Sequence, residues 1–291
     1  MRISAKIMAD HIKANLAKQS AQLMETQLQL ASGKRINKPS DDPIGIGKVL
    51  DYRSTLQSID QYRENMLDAR TRVEYTEAVL GQVSDFIEDA KKIATNPDAA
   101  DKTAFAQTIA NIRQQVLGLA NSKYGANYIF SGHVTNTPPF DGTSPYAYNG
   151  DGGSHKVMVG EGITVDIEAD GSQMFIDGGD NLFQVLEDLE TALTAMPYDP
   201  VAVQNTVDPL YRIADRIQLV RSELATDYRR LERTDEYWHN FSNAVETMRQ
   251  TVEDADITQA AIDMQVQQTA YEVLLATAGQ VIQPTLVDFL R

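Results

Sequence analysis

The sequence predicts a mainly α-helical fold: a long antiparallel coiled-coil rod formed by the N- and C-terminal parts of the chain, with a small β-rich insertion in the middle. Three observations predict it. Apolar residues recur at alternating spacings of four and three over long stretches of both halves, the pattern of paired helices. Glycines and Pro138, Pro139 and Pro145 break that pattern between Gly125 and Gly179. A compact set of helix stop and start signals, LASGKRINKPSDDPIGIG, lies between Leu30 and Gly47.

In the first segment Ala5, Ala9, Ile12, Leu16, Gln19, Leu23, Thr26 and Leu30 form one seam that admits polar residues near its middle. An isolated helix of this length is marginal in water, so the seam needs a partner. Gly33 takes the left-handed conformation that ends a helix, and Lys34, Arg35 and Lys38 place positive charge near its unpaired carbonyls. Pro39 disfavours a helical Lys38, Ser40 or Asp41 caps the next helix, and Asp41 and Asp42 sit at its positive end, with Pro43 tolerated in the first turn.

The second helix runs to about Asn96 through Val49, Tyr52, Leu56, Ile59, Met66, Val73, Leu80, Val83 and Ile87. A third, through Phe105, Ile109, Ile112, Val116 and Leu119, is expected to pair with it. Strands are expected at Lys156 to Val159, Ile163 to Ile167 and Met174 to Ile176. Asp180 and Asn181 then cap a short helix bearing Leu182, Val185, Leu186, Leu189 and Leu193. Beyond Pro209 a long pattern from Leu210 to Val252 supplies the partner for the second helix.

The last helix, starting near Asp254 and Asp256, carries two stripes. One runs through Ile257, Ala261, Met264, Gln268, Tyr271, Leu275, Ala278 and Ile282, the other through Ile262, Val266, Thr269, Val273 and Ala276. A single partner helix covers one stripe, and the other is a drive to associate. The expected division is therefore nested: 1–40 with 254–291 as a terminal coiled coil, 41–129 with 181–253 as a helical rod, and 130–180 as a β-rich insertion.

The 26 basic residues against 41 acidic ones give 291 residues a formal net charge of -15, a surface that repels nucleic acid and anionic lipid. Neither nucleic acid binding nor membrane insertion is expected. With no cysteine, disulfides and thiolate metal sites are excluded. His11, His133, His155 and His239 form no short-range metal pair, and the acids and glycines around Asp151 and Asp170 lack the calcium-loop order. No catalytic constellation emerges and no cofactor is expected. The polar residues spaced through MRISAKIMADHIKANLAKQ differ from a Sec signal, a reading that by itself suits a cytoplasmic protein.

The SGKRIN…SDDP run, GANYIFSG from Gly125 to Gly132, Pro138-Pro139-Phe140, and the C-terminal DADITQAAIDMQVQQTAYEVLLATAGQVIQPTLVDFLR together resemble the flagellin-like family, nearest to its hook–filament junction members. The segment from Thr143 to Asp180 carries none of the resemblance. The resemblance implies a structural component of the bacterial flagellum, secreted through type III export without a cleaved signal and assembling by terminal helix packing. Its implied partners are hook-associated protein 1, flagellin, a cytoplasmic export chaperone and further copies of itself in a ring. Implied assembly contacts are Leu16, Leu23, Leu30, Arg35, Asn37, Asp41, Asp42, Tyr271, Leu275, Ile282 and Leu286. A flagellin filament subunit is the alternative within the family. A cytoplasmic coiled-coil binding module and, third, an enzyme sited in the insertion are the alternatives outside it.

Overall fold

The computed structural model describes residues 2–96, 101–167 and 169–282. Its helices are α1 (Arg2–Ser32), α2 (Pro43–Thr95), α3 (Lys102–Ala120), α4 (Gly171–Phe175), α5 (Leu182–Thr194), α6 (Pro200–Gln204), α7 (Val207–Glu253) and α8 (Ile257–Ile282). The strands form two antiparallel hairpins, β1 (Lys123–Tyr124) with β2 (Asn127–Tyr128) and β3 (Lys156–Gly160) with β4 (Ile163–Asp166). The mainly α fold with a small β-rich insertion is borne out.

The chain forms two compact units, one from residues 59–239 and one from residues up to 58 together with those from 240 onward. In the first, Met66, Val73, Leu80 and Ile87 recur every seven residues on α2 and are buried, as are Leu210, Ile213, Ile217, Leu224 and Leu231 on α7. Within that unit the two helices are antiparallel. Arg63 meets Asp235 at 2.8 Å, Tyr228 donates to Glu74 at 2.8 Å, and Arg221 meets Glu77 at 2.6 Å. α3 comes close to α5 rather than chiefly to α2, although all share one core. Asn181 caps α5 by accepting from Phe183 N–H, whereas Asp180 pairs with Arg212 at 2.7 Å.

The insertion is stitched into this core. Phe140 packs against Phe175 and Phe183, with ring centroids 5.3 and 5.1 Å away, so an insertion aromatic rests directly on α5. Arg113 of α3 donates to the Tyr146 hydroxyl and pairs with Glu190 at 2.8 Å. The β3–β4 hairpin turns at Glu161-Gly162, where Gly162 has φ +68°, a conformation that favours glycine. Trp238 Nε1 donates to Val159 O at 2.7 Å and Asn65 Nδ2 to Met158 O at 3.0 Å, fastening the hairpin to α7 and α2. Met174 to Ile176 is not a strand. Asp170 caps a helix there by accepting from Ser172 N–H, and Met174 and Phe175 lie inside it.

Candidate assembly surface

The second unit brings the two ends of the chain together as an antiparallel helix pair. On α1 the expected seam is the covered face: Ile12, Leu16, Gln19, Leu23 and Leu30 are half-buried and Thr26 is buried, while Lys13, Lys18, Gln22 and Glu25 are exposed. Thr26 Oγ1 donates to Gln267 Oε1 at 2.9 Å, and Gln19 Nε2 donates to Gln267 O at 3.4 Å. One α8 residue thus sits between two α1 residues a heptad apart.

The covered row on α8 is Ala260, Met264, Gln267, Tyr271, Leu274 and Ala278. It shares Met264, Tyr271 and Ala278 with the stripe read from sequence and differs by one residue elsewhere. The reason is visible in the chain: Ala260-Ala261, Gln267-Gln268 and Leu274-Leu275 are identical neighbours seven residues apart, so two rows of nearly equal composition compete. Leu275 faces outward, 47% exposed. Ile257, Ile262, Val266 and Val273 are also exposed, and Val266, Thr269, Ala270, Val273 and Leu274 line a shallow, mostly apolar groove. Ile7, Met8, Met24 and Leu28 are exposed on α1. Ile282 ends α8, and Leu286 lies outside the described residues.

The connector residues converge at one end of the pair. Gly33, at φ +72°, ends α1 by donating to Gln29 O at 2.8 Å, and its carbonyl accepts from Ala255 N–H at 3.0 Å. Arg35 N–H donates to Glu253 O at 2.7 Å, its guanidinium donates to Val252 O at 2.8 Å, and the same group pairs with Asp42 at 3.2 Å. Asp41 Oδ2 accepts from the backbone N–H groups of Asn37 and Lys38, at 3.0 and 2.9 Å, while Asn37 Nδ2 donates to Lys34 O. Asp42 Oδ1 accepts from Gly45 N–H at 2.8 Å, capping α2. Backbone donors, Lys38 foremost for Asp41 and Gly45 for Asp42, hold both carboxyls below the ordinary aspartate range. A Cβ at Gly45 would stand 2.4 Å from the Asp42 carboxylate and 2.7 Å from Ile36, so α2 begins in close contact with the connector.

Beneath the connector lies a group that the sequence did not single out. Glu253 is 1% exposed and accepts from Lys34, at 2.6 Å, and from Arg53 and Arg249. Burial pushes its carboxyl up, but the three cationic donors outweigh that effect and hold it below the ordinary glutamate range. The four-residue spacing of Arg249 and Glu253 was a readable signal, whereas Lys34 and Arg53 reach it only through the tertiary fold.

Several known proteins are similar to this chain. The model of the bacterial flagellin N-terminal helical region matches residues 3–135. The flagellar hook-associated protein 3 of Salmonella typhimurium is 29% identical over 263 residues, covering 81% of this chain and 82% of that one. Along its N-terminal part the chain is similar to flagellin. Its fold is also that of a Vibrio parahaemolyticus protein assigned as flagellar hook-associated (TM-score 0.69, 19% identity, 73% of this chain and 99% of that one). The flagellar junction protein FlgL of Legionella pneumophila shares it too (TM-score 0.59, 14% identity, 71% and 99%). With the hook-associated relatives matched over four fifths of its length, the chain is a structural component of the bacterial flagellum, similar to hook-associated proteins.

Proposed function

We propose that the protein is a subunit of the junction between a hook-side hook-associated protein and the flagellin filament, assembling through its terminal helices. The observation that carries this reading is the division of α8 into a covered row facing α1 and an exposed apolar row through Ile262, Val266 and Val273. Burying a large aliphatic side chain is worth about 1.5–3 kcal/mol, so covering several on each subunit is enough to drive association. In this reading 1–40 with 254–291 is the inner coiled coil, 41–129 with 181–253 the rod, and 130–180 the outward insertion.

The assembly contacts are Leu16, Leu23 and Leu30 on α1, Arg35, Asn37, Asp41 and Asp42 at the connector, and Tyr271, Leu275, Ile282 and Leu286 toward the C-terminus. The residues at the connector act by holding the geometry that presents the helices. The partners are hook-associated protein 1, flagellin and other copies in a ring, and an export chaperone holds the protein in the cytoplasm before type III secretion. It works without a cofactor or a catalytic step.

Electron microscopy of cells lacking the protein tests the assignment. Hooks without filaments are expected, with flagellin released into the medium, and restoration by the full chain completes the test. Normal filaments in its absence would remove it from the junction.

A further inference from the structure

The doublets on α8 pose a problem that helix packing alone does not solve. Turning α8 by about half a residue step would exchange Ala260, Gln267 and Leu274 for Ala261, Gln268 and Leu275 while keeping Met264, Tyr271 and Ala278 in place. The two faces offer α1 almost the same side chains, so hydrophobic burial distinguishes them weakly. Yet the choice decides whether Leu274 or Leu275 remains outside, and hence which surface a neighbour meets.

We infer that buried Glu253, tied to Lys34, Arg53 and Arg249, is a positioning residue that sets the rotation of α8 and so selects the row presented to α1. The geometry supplies a short, taut path for this effect. Lys34 comes from the connector after α1, Arg53 from α2 and Arg249 from α7, so one carboxylate joins three elements. The backbone around it is held as well: Glu253 O accepts from Arg35 N–H, Lys34 bridges Asp254, and Ala255 N–H donates to Gly33 O. Asp256 follows at once, capping α8 by accepting from Thr258 and Gln259 N–H at 2.9 and 3.1 Å. Only Asp254 and Ala255 separate the buried carboxylate from the cap, too few to absorb a change of helix phase. Buried ionic groups add little net stability against apolar replacements, and fixing register is their best-attested use.

The natural absence of cysteine allows a direct test on the full chain. Two cysteine pairs, T26C/Q267C and T26C/Q268C, are oxidised under the same conditions, and the ratio of disulfide yields reads the rotation. Both pairs remove the Thr26–Gln267 hydrogen bond, so the setting rests on the joint. With Glu253 present, the 267 pair should exceed the 268 pair by about tenfold. In E253Q the ratio should fall to near one, with total cross-linking largely kept, and E253D should restore part of the preference. K34M/R53M leaves Glu253 compensated by Arg249 but cuts both ties to other elements, and should shift the ratio similarly. It decides the matter if E253Q loses its helical circular dichroism. An unchanged ratio in the folded variants overturns the inference, as does joint loss of both cross-links, which would mark the cluster as a simple stabiliser. The inference concerns the helix pair on which the proposed assembly rests, but its test uses the isolated chain, so its failure leaves the junction assignment standing.

Discussion

At the scale of single residues the connector is governed by carboxylates whose neighbours were chosen by the fold. Asp41 and Asp42 were legible as helix-start residues because short acidic side chains after Lys38-Pro39-Ser40 have an obvious use, accepting from free backbone N–H groups. Glu253 was not, because an acid at the end of a long charged helix looks the same whether it meets water or three cations. The distinction has a measurable consequence. A folded-state value lowered by these donors means that Glu253 contributes stability that is fully present above the unfolded glutamate value of about 4.3 and is lost as pH falls through the lower folded value. Amide protection factors in α1 and α8, taken relative to the intrinsic exchange rate at each pH, should therefore fall on acidification below about pH 4.3. Asp41 and Asp42 act in the same direction, so E253Q should flatten this dependence without abolishing it. At neutral pH the loss in E253Q should be about 1–3 kcal/mol, since Lys34 and Arg53 are 38% and 48% exposed and can turn to water. An acid dependence identical to that of the parent would show that the carboxylate is solvated.

At the scale of elements, the sequence reveals the helices better than the contacts between them. The α1 seam was readable because Leu16, Leu23 and Leu30 alternate with charged residues, leaving one plausible face. The α8 face was ambiguous because its doublets give two rows equal apolar content. The β3–β4 hairpin announced itself through alternation around a glycine turn, but of the expected strand Met174 to Ile176 the first two residues lie in the helix that Asp170 caps and Ile176 ends it. A segment this rich in glycine and proline turns would suit a module detachable from the helices. Its aromatic residues say otherwise: Phe140 is 1% exposed and lies between Phe175 of α4 and Phe183 of α5. Phe140→Ala should cost about 3–5 kcal/mol, the usual range for removing a buried phenylalanine. Denaturant unfolding followed by helical circular dichroism should show the loss, and exchange protection should fall in α5 as well as in the insertion. Loss confined to residues 130–180 would restore the detachable-module reading.

At the scale of the whole molecule, the proposed association would add an outward face of α8 to the one that packs on α1, and Leu274 and Leu275 separate the two. Leu274 lies half-buried in the row against α1, and Leu275 is 47% exposed. An aspartate at 275 therefore begins from a position already in contact with water, where substitutions usually change stability by no more than about 0.5 kcal/mol. At 274 the same change removes an apolar contact and forces a charge toward α1, so exchange protection in the helix pair should collapse. In an assembled junction the ranking should change: a neighbouring subunit enclosing position 275 would strip hydration from an unpaired carboxylate, at a cost of several kcal/mol per subunit. Leu275→Asp should leave the isolated protein's melting and its α1–α8 protection near parental values, yet cells making only that variant should secrete it without building filaments. Leu274→Asp should fail at both stages. Normal filaments with Leu275→Asp would remove that residue from the assembly contacts, and loss of α1–α8 protection in the isolated variant would place it in the intramolecular seam instead.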